Sequence, residues 1–168
     1  MDDENVYAPP KSELEQADND QPLASRWFRL WGAMIDAIIG IAIAFPAMFF
    51  SGYWERAMNQ QITVTDTIAV SVFGFMMFVA VHGYFLARDG QTIGKKLVGT
   101  RIVSADSNQI LPLWKVVLLR YLPITISGQI PLVGGVLVTI DYLFVFRRDK
   151  RCIHDLIATT RVVKADAS

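Results

Sequence analysis

Cysteine and histidine are nearly absent from this 168-residue chain, which has one cysteine, Cys152, and two histidines, His82 and His154. A lone cysteine excludes an intramolecular disulfide framework and any multi-cysteine metal site. Two histidines leave a zinc centre short of ligands unless carboxylates arrive from distant segments, so neither a metal nor another cofactor is expected. A secretory signal, with its basic start and small-residue cleavage site, is missing. The first apolar run is therefore expected to stay in the mature protein. No internal repeat or low-complexity tract is visible. Neither charge is in surplus, because 16 Lys and Arg balance 16 Asp and Glu, and no nucleic-acid partner is expected. That neutrality hides an acidic tail, since Asp2, Asp3, Glu4, Glu13, Glu15, Asp18 and Asp20 all lie before residue 21. The tail has few large apolar residues and carries Pro9, Pro10 and Pro22. It cannot bury enough surface to offset its ordering entropy, so residues 1–24 are expected to form a disordered cytoplasmic tail.

What the chain has in abundance is apolar surface, at 52% hydrophobic residues, 19% charged and a mean hydropathy of +0.33. Three runs have spanning length. Residues 30–50 carry only Asp36 as a charge, 67–87 carry none, and 129–146 carry only Asp141. Trp27, Trp31, Tyr53, Trp54, Tyr84 and Tyr142 fall near run ends, where interfacial aromatics sit. Residues 111–128 are ambiguous, being apolar but holding Lys115, Arg120 and Pro123. If they do not cross, Arg56, Arg147, Arg148, Lys150, Arg151, Arg161 and Lys164 all lie outside. If they cross, only Arg56 does. Cytoplasmic excess of Lys and Arg orients membrane proteins, so four crossings with both termini cytoplasmic are expected, with a surface-lying helix as the alternative. About 16 residues of helix reach only ~24 Å, which makes this third pass short, kinked at Pro123, or re-entrant. The fold class is therefore an all-α membrane protein, a small bundle of about four transmembrane helices with a small cytoplasmic β element.

The β element comes from the polar, basic segment 88–112 and the tail. Residues 97–103 are β-prone, 104–109 form a polar turn cluster, and Ile110 and Leu111 resume β character. Residues 160–163 are another short strand, and strands this short need neighbours, so the two segments are expected to pair. Gly90, Gly94, Lys95 and Lys96 superficially resemble a phosphate loop, but the glycine spacing is one residue short and no Ser or Thr follows the lysine. A turn that fixes the hairpin and touches anionic lipid headgroups is the simpler reading.

Taken jointly, Arg29 and Asp36 in the first run, the segment Gly90, Gln91, Thr92, Ile93, Gly94, Lys95 followed by residues 99–103, and His154 with Asp155 near the end resemble the RDD family of membrane proteins. The resemblance covers residues 25–164 as one transmembrane domain and leaves 165–168 as a C-terminal tail. The family is named for one arginine and two aspartates. Arg29 and Asp36 match the first two, and the second aspartate is Asp155 or Asp141. The chain departs from the pattern at Thr159 and Thr160, where a glycine–threonine pair is expected. The resemblance implies transport of unidentified ligands, with cation–proton exchange attributed to some members.

Depth in the membrane groups four polar side chains. Asp36 lies seven residues beyond Arg29, His82 six before Arg88, Arg120 five beyond Lys115 and Asp141 six before Arg147, so each sits ~8–11 Å in along its helix. A charge in hydrocarbon is costly and seeks a partner or water. The layer therefore reads either as a cation or proton relay or as a packing clasp with Arg120 paired to Asp36 or Asp141. Arg29 is expected to pair with Asp36 or with lipid phosphate. Gly32, Asp36 and Gly40 share a face that a second helix could approach closely. His154 and Asp155 read as a helix or turn cap, and no catalytic residues are expected. The functional expectation is a multi-pass inner-membrane protein that takes part in moving ions or a small solute, as a homo-oligomer because four short helices barely enclose a path. The rival is a structural or assembly protein whose buried charges form a clasp.

Overall fold

The computed structural model describes residues 21–130 and 132–165, so the acidic tail before residue 21, Pro131 and the last three residues lie outside the described chain. Helix α1 (Arg26–Phe50) starts at Ser25, whose hydroxyl accepts from the Phe28 amide, and helix α2 (Tyr53–Met58) follows a glycine turn. Helix α3 (Val64–Asp89) opens on a reciprocal capping box between Thr63 and Asp66 and closes on Gly90 in the left-handed region. Both α1 and α3 are long and apolar enough to cross a membrane. Ile38, Ile41, Phe45, Ile68, Val72 and Met76 on them are exposed, the surface that hydrocarbon would cover.

The short helix α4 (Ile93–Leu97) leads into strand β1 (Thr100–Ser104). Helix α5 (Leu113–Val116), a π-turn (Val117–Tyr121) and helix α6 (Leu122–Gly128) run on without a break. The π-turn bonds the Leu122 amide to the Val117 carbonyl, and Pro123, which has no amide to donate, stands directly after Leu122. The irregularity found near Pro123 is thus a π-turn that ends two residues before it. Helix α7 (Gly134–Leu143) ends in a 3-10 turn (Phe144–Phe146). Residues 113–128 and 134–146 reach only ~24 and ~20 Å. Helix α8 (Ile153–Ile157) and strand β2 (Thr160–Lys164) complete the chain.

The expected pairing of the two segments forms, with a different third member. β1 and β2 pair antiparallel with Ile102 opposite Val162. Ile110 and Leu111 are not strand; the 104–109 segment instead closes on itself through Ser104 N–H to the Gln109 carbonyl at 2.9 Å. The other side of β2 is taken by residues 22–24, with Ala24 N–H donating to Val162 O at 3.0 Å and Lys164 N–H to Pro22 O at 3.1 Å. Residues 22–24, expected to belong to the disordered tail, are therefore paired with the sheet. Leu97 also leaves the expected strand and ends α4. Ala24, Leu86, Ile102, Leu111, Val116 and Val162 form the buried core, so it sits where the sheet meets the ends of the long helices.

A repeat that reading along the sequence did not reveal is plain in the fold. Helix α4 and strand β1 recur sixty residues later as α8 and β2, from 93 to 153 and from 100 to 160. The left-handed residue between helix and strand recurs as well, Gly99 at φ 65° and Thr159 at φ 51°. So do single bonds: Ala105 N–H to Thr159 O at 3.0 Å mirrors Ala165 N–H to Gly99 O at 2.9 Å. Because Ile102 faces its own counterpart Val162, the two units are related by a local two-fold axis through the centre of the sheet. A β-branched side chain in the left-handed region is strained, and the equivalent position uses glycine. Thr159→Gly is therefore expected to raise stability by up to about 1 kcal/mol, and Gly99→Thr to lower it. Thermal denaturation of both variants in detergent checks this, and a Thr159→Gly protein that melts well below the parent would contradict it.

Candidate functional site

The glycine-containing segment after α3 is a structural device. A Cβ at Gly90 would come 2.5 Å from the Ile102 carbonyl, and one at Gly94 would come 2.2 Å from the Gly32 carbonyl and 2.8 Å from Asp36 Oδ1. Glycine at 94 thus lets α4 dock on α1, and Gly32 receives Val98 and Lys95 of that short helix. Gly40 has open space around it, so the expected close helix approach along Gly32, Asp36 and Gly40 is replaced by α4 at one end and a cavity at the other. Gln91 donates from Nε2 to the Thr100 carbonyl at 2.8 Å, tying the turn to β1.

Asp36 anchors this docking. Its Oδ2 accepts from Thr92 Oγ1 at 2.5 Å and its Oδ1 from the Gly94 amide at 2.7 Å. Lys95 Nζ stands 4.0 Å away and His82 Nδ1 3.9 Å away. His82 Nδ1 also accepts from the Ile93 amide at 3.2 Å. Asp141 holds α8 in the equivalent way, its Oδ1 accepting from the His154 amide at 2.8 Å, the counterpart of Gly94 in the repeat. Its Oδ2 lies 2.5 Å from His154 Nδ1. Asp36 and Asp141 therefore each bind a backbone amide of one short helix and a side chain in or just before it.

Between them lies Asp155, with no exposed surface. It accepts from Arg29 Nη2 on Oδ2 and from Arg120 Nη1 on Oδ1, from the Cys152 amide at 3.1 Å and from Thr160 Oγ1 at 3.2 Å. Arg120 donates further to Thr160 Oγ1 at 2.7 Å. This corrects two expected pairings. Arg120 pairs with Asp155, not with Asp36 or Asp141, and Arg29 pairs with Asp155, not with Asp36. The four groups placed at one depth divide accordingly into Asp36 with His82, Asp141 with His154, and Arg120 with Asp155. Nothing in residue spacing indicated Asp155 as the shared partner, because it comes from a segment outside the apolar runs. Lys95, expected as a residue of the family motif in a turn touching lipid headgroups, is instead buried at 8% exposure beside Asp36.

Burial, then the nearby Arg120 guanidinium, pushes the Lys95 ammonium down to about 8. The same two causes, in the same order, push His154 down to about 4 and outweigh its contact with Asp141. The imidazole is thus neutral at physiological pH. Asp141, Cys152 and His154 place possible ligand atoms within 4.8 Å of one another, a closer grouping than the sequence indicated. Burial raises the Cys152 thiol, and Arg29 Nη2 points at its sulfur from 3.9 Å. A cation that needs a thiolate is poorly served beside these guanidinium groups.

Among the described residues, three of the cavities in the bundle adjoin one another. One of about 60 Å³ lies between α1 and α3 against Asp36, Gly40, Gly74 and His82. It shares Ala44, Gly74 and Phe78 with a cavity of about 330 Å³ that reaches Tyr53 and Gln129. It shares Ala44 and Phe73 with another of about 300 Å³ that reaches Arg56 and Asp66, a pair 3.0 Å apart at the far ends of the long helices.

Two long apolar helices standing on a charge-locked helix–strand repeat define a membrane-type helical protein. The RDD family model matches residues 23–159, and the chain belongs to the RDD family. It is similar to the uncharacterized protein YckC of Bacillus subtilis (strain 168), 29% identical over 145 residues covering 84% of this chain and 85% of that protein. No solved structure matches.

Removing one partner of a buried pair leaves an uncompensated charge, at a cost of about 3–5 kcal/mol. Asp155→Asn, which strands both Arg29 and Arg120, is expected to destabilise the protein by that order, and Arg120→Leu in the same background to recover part of it. Unfolding in detergent across the double-mutant cycle checks the assignment. Coupling of Arg120 to Asp36 or Asp141 but not to Asp155 would overturn it.

Proposed function

We propose that this protein takes part in moving an ion or small solute across the membrane, with Asp36 and His82 as the protonatable pair on the path. The observation that carries the reading is that these two groups line the innermost of three adjoining cavities, where an acid and an imidazole 3.9 Å apart can exchange a proton with a passing cation. Cation–proton exchange is the form of transport this pair fits. Intramembrane ionisable residues facing a cavity are functional by default, and the clasp role is already filled by Arg29, Arg120 and Asp155.

The threading that goes with this reading has four passes in the inner membrane and both termini in the cytoplasm. The segments 113–128 and 134–146 are then short crossings, and Arg56 is the only basic residue outside. Lipid, and in an oligomer a second copy, would cover the exposed apolar faces of α1 and α3. Accessibility tags at residue 60 and at the C-terminus test the threading. A tag at 60 facing outward with a cytoplasmic C-terminus is expected, and an outward C-terminus would rule it out.

A structural or assembly role is the second reading, favoured by how completely Asp36, Asp141 and Asp155 are hydrogen-bonded to short cytoplasmic helices. Enzymatic chemistry is not part of either reading. Flux through purified protein in liposomes decides between the two. With a proton gradient and external sodium or potassium, the parent is expected to carry cations, and Asp36→Asn and His82→Gln each to lower the rate at least tenfold while remaining folded. Parent flux no greater than in empty liposomes would favour the structural role.

A further inference from the structure

Next to Asp155 is a cavity unlike the others. It measures about 70 Å³ and lies between α1, the 113–128 helix, α7 and the start of α8. Its wall includes Arg29, Lys95 and Arg120, each more than nine-tenths buried, and no carboxylate. Tyr121, Tyr142 and His154 are the other polar members of the lining.

The carboxylates of the region stand behind that wall. Asp155 is taken by Arg29, Arg120, the Cys152 amide and Thr160. Asp36 is taken by Thr92 and Gly94, and Asp141 by His154. The cavity is left with hydrogen-bond donors. Two polar atoms of its lining residues, Arg120 Nε and Tyr121 Oη, are buried with no hydrogen-bond partner among the described residues. Buried donors without partners are costly, and in native proteins they point to a missing water or ion. Each cation has a carboxylate on its far side, Asp155 for Arg29 and Arg120 and Asp36 for Lys95, while the cavity side is lined by cationic groups and no acid. A water would satisfy one or two donors there, whereas an anion would accept charge-assisted bonds from several at once.

We propose that this cavity binds one small anion, a halide or the phosphate group of a free or lipid-borne phosphate, held by Lys95, Arg29, Arg120 and the Tyr121 hydroxyl. The volume is about half that of a cavity that takes benzene, so an ion with a water fits and an organic solute does not. The inference does not rest on the transport reading, because the cavity faces Asp155 and not Asp36. An anion here would add to the forces that hold α4 and α8 together beneath the helices.

The test is thermal unfolding of the full chain in a neutral detergent, starting in sodium gluconate and titrating sodium chloride, sodium phosphate or phosphatidylglycerol micelles at constant ionic strength. A saturable rise in Tm with at least one of these is expected, and a rise with phosphatidylglycerol alone identifies the source as lipid phosphate. Tyr121→Phe removes a hydroxyl whose one protein neighbour of opposite polarity is the Arg120 guanidinium. Measured from its own Tm in gluconate, this variant is expected to show an apparent anion affinity weakened roughly tenfold, the worth of one hydrogen bond to a charge. Lys95→Gln is expected to weaken it further, and if that variant does not fold, Tyr121→Phe decides alone. No saturable rise with any of the three anions, or an equal rise in parent and Tyr121→Phe, overturns the proposal.

Discussion

The structure depends on one buried carboxylate shared by two arginines. Asp155 sits on a five-residue helix that would not persist by itself, since helices this short are unstable in water without tertiary contacts. Arg29 reaches it from the first turn of α1 and Arg120 from the π-turn of the 113–128 helix. Three segments far apart in sequence are thereby fixed at one point. Burying these ions is expensive, and a well-packed apolar cluster could give equal stability. What the ions add is specificity, because a misregistered α8 would leave two guanidinium groups buried without a partner.

Around that point the helix–strand repeat is nearly symmetric in backbone and asymmetric in charge. Thr100 and Thr160 are both fully buried, and each hydroxyl turns back to a carbonyl of its short helix, Lys95 or Asp155. Lys95 and Asp155 are counterparts sixty residues apart, one cationic and one anionic, and both are buried. The symmetric frame thus carries opposite charges to the centre, where Asp36 and Asp141 cap the two short helices from the membrane side. The polar groups thus form the seam between the apolar helices and the sheet, and of them Asp36 and His82 also border the cavity between the long helices.

The two long helices were legible because an uninterrupted apolar run of more than twenty residues has few other fates. β1 and β2 were legible from their β-branched residues. The identity of the third strand was not, because residues 22–24 lie in a stretch whose composition reads as disordered and gain order only by pairing with β2. The repeat was hidden because its two copies share shape more than side chains. The run from Thr100 to Asp106 matches Thr160 to Asp166 at five of seven positions, but the short helices before it share only Ile93 with Ile153, and Gly99 against Thr159 conceals the common left-handed turn. Arg120 was correctly singled out as a buried charge needing a partner. Its partner was misassigned because depth along a helix says nothing of which residue outside the apolar runs folds back to meet it.

The central claim is that Asp155 locks the helix–strand repeat to the membrane helices. Amide hydrogen exchange of the parent and of Asp155→Asn in detergent tests it most directly. Loss of the carboxylate should accelerate exchange in α8, β2 and the paired β1 together, while the outer halves of α1 and α3 keep their protection. Unchanged protection of β1 and β2 in a folded Asp155→Asn protein would contradict the account.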